Sequence, residues 1–155
     1  MLYTWLGLLL IEIMIIEQAK NQRDDIAAIL SAQKLPVEDL PEVLDNFLLA
    51  KESDQLIGVL GLEIYGAYGL LRSLAVIPEY RNKGIASKLI ERLESLAALT
   101  GLTELYLLTE TAPEYFAAKS FQKITRDEVP DEVKQSSEFS HICPVSAIVM
   151  KKLLS

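Results

Sequence analysis

The segment RSLAVIPEYRNKGIASKLIERL, residues 72–93, constrains the fold more than any other part of the chain. An apolar, strand-like run stops at Pro78, a short basic turn follows, and an amphipathic helix begins near Gly84. Ile85, Leu89, Leu93, Leu96 and Ala97 recur at helical spacing, Lys88, Glu91, Arg92 and Glu94 take the polar faces, and Gly101 is a stop signal. Strand, basic turn and helix in that order make an anion-binding arrangement.

The flanking patterns complete a sheet. IIEQA reads as a first strand and RDDIAAILSAQK as a helix with an acidic first turn and Ile26, Ile29 and Leu30 on one face. LPVEDLPEVLDNF, with two prolines, is expected to be a loop with a short helix from about Pro41, and so irregular a piece could border a site. NFLLAKES and QLIGVLGLEIYG, separated by Ser53 and Asp54, form an antiparallel hairpin, and YGLLRSLAVIP adds a third strand. After the helix come a buried strand in TELYLLTE, a short helix in APEYFAAKS, a strand in FQKITRDEV, a polar loop, and a closing strand near residues 145–153. The expected fold is α/β of the α+β kind: one domain over residues 14–155, a mixed, mostly antiparallel sheet with helices packed against it.

Composition narrows the function classes. Half the residues are hydrophobic and 24% are charged, as in folded globular proteins. The net charge of −7 argues against a sequence-independent nucleic-acid binder, so any phosphate site must be local. Cys143 is the single cysteine, which excludes an intramolecular disulfide and makes a cytoplasmic location the expectation. Residues 1–13 precede the first β-α unit with an apolar run that is short for a membrane span and interrupted by Glu12. They are expected to be a non-native or misassigned leader, the alternative being an apolar segment used in association, which leaves room for a homodimer.

The basic turn is Arg81-Asn82-Lys83-Gly84-Ile85-Ala86. Its spacing matches neither the triphosphate loop nor the dinucleotide fingerprint. Glycine and a small residue beside the first helical turn allow a ligand to approach backbone amides, and Arg81 and Lys83 add full charges to the helix dipole. The product is a compact diphosphate site; a plain basic turn before a helix is the competing reading.

LAVIPEYRNKGIASKLIERLE resembles motif A of the GNAT superfamily of N-acetyltransferases, whose pattern [QR]xxGx[GA] is met by Arg81, Gly84 and Ala86. LYLLTETAPEYFAAKSFQKI resembles the family's next strand, short helix and G-F pair, with Ser120 in place of the glycine. The resemblance implies a sheet splayed between its fourth and fifth strands and an acetyl-CoA donor. Its diphosphate would lie on residues 81–87, that is Arg81, Asn82, Lys83, Gly84, Ile85, Ala86 and Ser87, and its pantetheine arm along Leu74, Ala75 and Val76. Thr109, standing for the family's Asn, and Phe116 join this cofactor set; Phe116 occupies the place of a frequent tyrosine acid, while Tyr115 is one residue off and expected to face elsewhere. LLRSLAV, LYLLTETA and EFSHICPVSA together resemble a subgroup associated with arsenic-resistance operons.

The implied reaction is direct attack of a neutral amine on the thioester. Proton-acceptor candidates are Glu63, otherwise a solvated strand-edge carboxylate, and His141, which shares a strand face with Cys143 if that segment is extended and is otherwise structural. Arg72, a charge inside an apolar strand, suits a substrate carboxylate, or else a salt bridge to Glu63 or another carboxylate. Tyr65, Tyr68 and Phe139 are expected to line the cleft. The leading function is acetylation of a small, amino-acid-like amine; the alternatives are a protein lysine or N-terminal acetyltransferase and a non-catalytic acyl-CoA-binding module. No metal is implied.

Overall fold

A computed structural model describes residues 14–20, 22–142 and 146–154, His141 and Ile142 through their backbone alone. The expected leader, residues 1–13, lies outside the described residues, as does Cys143. Seven strands form one sheet: β1 (Met14–Gln18), β2 (Phe47–Glu52), β3 (Gln55–Tyr65), β4 (Tyr68–Val76), β5 (Glu104–Thr109), β6 (Gln122–Ile124) and β7 (Ile148–Leu153). Their order is β1-β2-β3-β4-β5-β7-β6. All neighbours pair antiparallel except β4 and β5. That parallel pair requires a crossover, supplied by helix α2 (Ile85–Leu99).

Strand periodicity decides what packs on each face. On β2, Leu48 and Ala50 turn to a cluster with Leu89, Ile90 and Leu93 of α2, whereas Phe47 and Leu49 turn to one with Ile26 and Leu30 of helix α1 (Arg23–Ala32). A third cluster joins Leu70, Tyr106 and Val149 to Val133 of the short helix α4 (Asp131–Lys134). Both helical faces read from the sequence are thus core faces. Ser53 and Asp54, each at positive φ, make the tight β2–β3 turn.

Several local readings need correction. No helix forms at Pro41, because Arg23 donates to the carbonyls of Pro41 and Glu42 and holds the segment open. The strand expected over residues 121–129 stops at Ile124, where Thr125 and Glu128 form a capping box and start a 3-10 turn. Residues 138–142 form a helical turn, so the extended segment on which a His141–Cys143 strand face depended is not there. Tyr65, Tyr68 and Phe139 pack on the third core cluster.

The β4–β5 ladder matters most for function. It contains the pairs Tyr68↔Glu104, Gly69↔Leu105 and Leu70↔Tyr106, and beyond them the strands part. On its other side β4 stays paired with β3 through Val76, across a bulge that places Ser73 at φ 61°. The strand therefore presents one unpaired edge from Leu71 onward.

Candidate active site

Two cavities open where β4 and β5 part. The first, about 700 Å³, runs over Leu74, Ala75 and Val76 and the turn residues Arg81, Asn82, Gly84, Ala86 and Ser87. Gly84 sits at φ 78° with open space where a Cβ would be, and Asn82 sits at φ 62°. Alternating left-handed residues curl successive amides into a concave nest. The first bond of α2 runs from Lys88 N to Gly84 O, 3.1 Å, so the amides of Ile85, Ala86 and Ser87 precede it and are available to a ligand. Ile85 contributes its amide alone, since its side chain is in the core. Arg81 donates from Nε to the Val76 carbonyl, 3.2 Å, and to Gln33. Lys83 stands over the Tyr80 ring, 5.0 Å from its centroid, and is not part of this lining.

The second cavity, about 550 Å³, is lined by Arg72, Ser73 and Leu74 of β4, Leu107, Leu108 and Thr109 of β5, and Phe116 and Glu138. It shares Leu74, Leu35, Gln33 and Tyr115 with the first. Arg72, 3% exposed, meets three carboxylates, of which Glu138 shares the cavity lining. Nη2 donates to Asp39 Oδ1 at 2.9 Å, Nη1 to Glu63 Oε2 at 3.0 Å, and Nε to Ser73 Oγ at 3.0 Å. Glu138 Oε1 stands 3.9 Å from Nε, beyond hydrogen-bond distance.

Electrostatics separates Asp39 from Glu138. Burial would raise Asp39, but hydrogen bonds from Arg72 and Ser137, with the Arg72 charge, outweigh it and hold this carboxyl below the usual range. For Glu138 burial dominates; the pull of Arg72 is opposed by the charges of Asp39 and Glu63, and the carboxyl is pushed up to about 7. Glu63 accepts from Arg72 through one oxygen and from Tyr65 Oη, 2.8 Å, through the other.

The sequence matches the acetyltransferase (GNAT) family over residues 15–124. The chain belongs to that family. An uncharacterized N-acetyltransferase of Chlorobaculum tepidum is 31% identical over 101 residues, 64% of this chain and 64% of the relative. An amino-acid acetyltransferase of Pseudomonas syringae is 37% identical over 62 residues, 40% of this chain but 14% of the relative. The chain thus spans less than two thirds of these relatives. N-acetylglutamate synthase of Neisseria gonorrhoeae, solved with coenzyme A and N-acetyl-glutamate, superposes with TM-score 0.78 at 22% identity, over 92% of this chain and 35% of that one. A GNAT-family acetyltransferase of Staphylococcus aureus superposes with TM-score 0.72 at 21% identity, over 92% of this chain and 100% of that one. These two likenesses concern the fold.

In this GNAT chain the anticipated donor residues divide. Residues 74–76, 81, 82 and 84–87 line the first cavity, while Thr109 and Phe116 line the second. Thr109 Oγ accepts from Ala112 N, 3.1 Å, and so shapes the entry to helix α3 (Pro113–Ala118). Glu63 lines neither cavity, and the side chain of His141 lies outside the described residues. Tyr115, expected to face elsewhere, lines both cavities, with its Oη 3.2 Å from Ser87 Oγ. Neighbouring Tyr115 and Phe116 diverge around α3, yet the opening is wide enough that both line the second cavity. Asp39 and Glu138 are the residues sequence reasoning missed. Asp39 had a partial signal, since the proline-rich loop was expected to border a site. Glu138 had only its place at the head of EFSHICPVSA, lying 66 positions from the arginine it faces.

Proposed function

We propose that the protein transfers an acetyl group from acetyl-CoA to the amine of a small, amino-acid-like molecule by direct attack. The observation that carries this is the junction of the two cavities at Leu74 and Tyr115, where a thioester in one would meet an amine in the other. The nest at residues 81–87 fits a diphosphate in curvature, exposed amides and charge. The unpaired edge of β4 fits an extended pantetheine arm, which carries amides of its own. Acetyl-CoA, when bound, supplies an acetyl group activated as a thioester. Leu74, Ala75 and Val76 fix its direction.

The acceptor assignment rests on the charges of the second cavity and on the relatives. Outside the Arg72–Asp39–Glu63 cluster, Lys34 is the cation on its wall and Glu138 and Glu110 the anions, a set suited to a molecule bearing both a carboxylate and an amine. Amino-acid acetyltransferases among the relatives agree with that reading. The resemblance of three segments to the arsenic-operon subgroup adds arsenic-containing amino-acid analogues to the candidates, and a cytoplasmic site of action suits them.

The test is thiol release from acetyl-CoA against a panel of amino acids, polyamines, peptides and arsenic-containing amino-acid analogues. Turnover of an amino acid or analogue, with polyamines and peptides inert, is expected. Tight binding of CoA without turnover of any amine would instead identify an acyl-CoA-binding module.

A further inference from the structure

Glu138 is 8% exposed, lines the second cavity, and accepts none of the hydrogen bonds that Arg72 donates. Those go to Ser73, to Asp39 through both backbone carbonyl and carboxylate, and to Glu63. Asp39 is held further by Ser137, and Glu63 by Tyr65. Of three carboxylates around one guanidinium, two are tied and one is left with a face on the cavity. A carboxylate serving only to neutralise Arg72 would occupy the fork. Asp39 and Glu63 already do so, and a third buried acid adds unfavourable charge unless something else meets it.

We propose that Glu138 is the proton acceptor for the substrate amine. This deepens the reading of the preceding section and rests on it. The incoming ammonium gives one proton to the Glu138 carboxylate. The neutral nitrogen then forms its bond to the thioester carbon, and the carbon–sulfur bond breaks with its electron pair on sulfur. The second nitrogen proton leaves on the CoA thiol, and Glu138 returns the first to solvent. The groups facing Glu138 are Arg72 of β4, Glu63 and Tyr65 of β3, and Asp39 of the loop before β2. Burial opposes its ionised form most, Arg72 favours it and the acids oppose it further, which leaves the group balanced near neutrality.

The experiment compares wild type, E138Q and E138D by kcat/KM for the best amine of the panel between pH 5.5 and 9. It adds CoA Kd, thermal unfolding, and a pH titration of carbon-13-labelled glutamate carboxyls in the CoA-saturated protein. E138Q is expected to lose about 10²–10³-fold in kcat/KM. It should also lose the limb on which wild-type activity falls below about pH 7, while CoA Kd stays within twofold. E138D should recover part of the rate and the acidic limb. One glutamate carboxyl of the wild type should titrate near neutrality and vanish in E138Q, whose Tm above pH 7 is equal to or higher than that of wild type. A merely structural Glu138 predicts the reverse, lower Tm with an unchanged pH profile, and that result overturns the proposal. So does a wild-type spectrum without such a carboxyl, whether or not any amine turns over. Absence of turnover in the wild type overturns the function proposed above, and the titration then decides the role of Glu138 by itself.

Discussion

The two cavities are built on different principles. The proposed donor groove is made mostly from two stretches of one segment, residues 74–76 and 80–87, closed by Gln33, Leu35 and Tyr115, and offers backbone amides, a left-handed glycine and exposed charge. The acceptor cavity gathers side chains from the loop after α1, from β4 and β5, and from the turn at residue 138, and holds them with buried ion pairs. In the first, binding and folding are nearly separate, since the nest is the start of a helix whose core face packs regardless. In the second they are coupled, because the charges that shape the cavity are also the charges whose burial must be compensated. Substitutions in the groove should therefore move affinity, and those in the cavity should move stability and chemistry together.

The sharpest way to break that contrast is Arg72→Leu. Removing the guanidinium leaves Asp39, Glu63 and Glu138 facing one another in a buried site, and unfolding free energy should fall by about 3–5 kcal/mol. The pH dependence follows from the two shifted acids. Asp39 has a folded pKa below its unfolded value, so its contribution is present above the unfolded pKa and lost as pH falls through the folded one. Glu138 has a folded pKa above its unfolded value, so it opposes folding as pH rises toward and past about 7. With the arginine gone, repulsion dominates. The loss in urea melts should be greatest near pH 8 and shrink toward pH 5; an equal loss at both would show that Arg72 acts through packing alone.

Next in size is Gly84→Val. No atom lies within 4 Å of an added Cβ, so the stability cost is that of a β-branched residue at φ 78°, about 1–2 kcal/mol. The new methyls would stand where the ligand approaches the nest, and CoA Kd in calorimetry should rise at least about tenfold, roughly 1.4 kcal/mol. An unchanged Kd would move the diphosphate away from this turn.

This same division explains what could be read before the structure. RNKGIA is a local feature: the strand end, the φ-permissive glycine and the helix start are consecutive, so its shape was legible from spacing, while its proposed role as a diphosphate site came from the family resemblance. The hairpin at Ser53 and Asp54 and the faces of α1 and α2 were legible for the same reason, short-range periodicity. Failures came where a distant residue overrides local preference. Arg23 takes the carbonyls that a helix at Pro41 would need, and Arg72 draws Asp39 from 33 positions away. Glu138 heads a segment noted only by resemblance, and the meaning of its carboxyl is set by what tertiary structure places opposite. Tyr115 was misdirected because a one-residue offset separates the two side chains around the helix without removing either from so wide an opening: Tyr115 and Phe116 both line the second cavity.

A smaller effect is expected at Arg81. Its guanidinium is exposed and links the turn to Val76 and Gln33, so Arg81→Ala should leave stability within about 0.5 kcal/mol. CoA affinity should fall by about 1–2 kcal/mol and become less dependent on salt, as one charge-assisted contact to phosphate is lost. Affinity that weakens equally at low and high salt would assign Arg81 a role in holding the turn rather than the ligand.

The smallest change, Tyr115→Phe, tests the wall that both regions share. The hydroxyl lies 3.2 Å from Ser87 Oγ at the diphosphate end of the groove, and Lys119 stands 5.7 Å over the ring. The phenol is thus engaged by Ser87, a residue of the first cavity. Losing the hydroxyl removes one exposed hydrogen bond, and the ring still fills the same wall against Phe116. Stability should change by less than about 0.5 kcal/mol, CoA Kd by about threefold or less, and kcat by less than that. A fall in kcat of about 10²-fold at unchanged Kd would mean that the hydroxyl swings from Ser87 to the leaving sulfur during turnover, making Tyr115 the acid that Phe116, one residue along, cannot be.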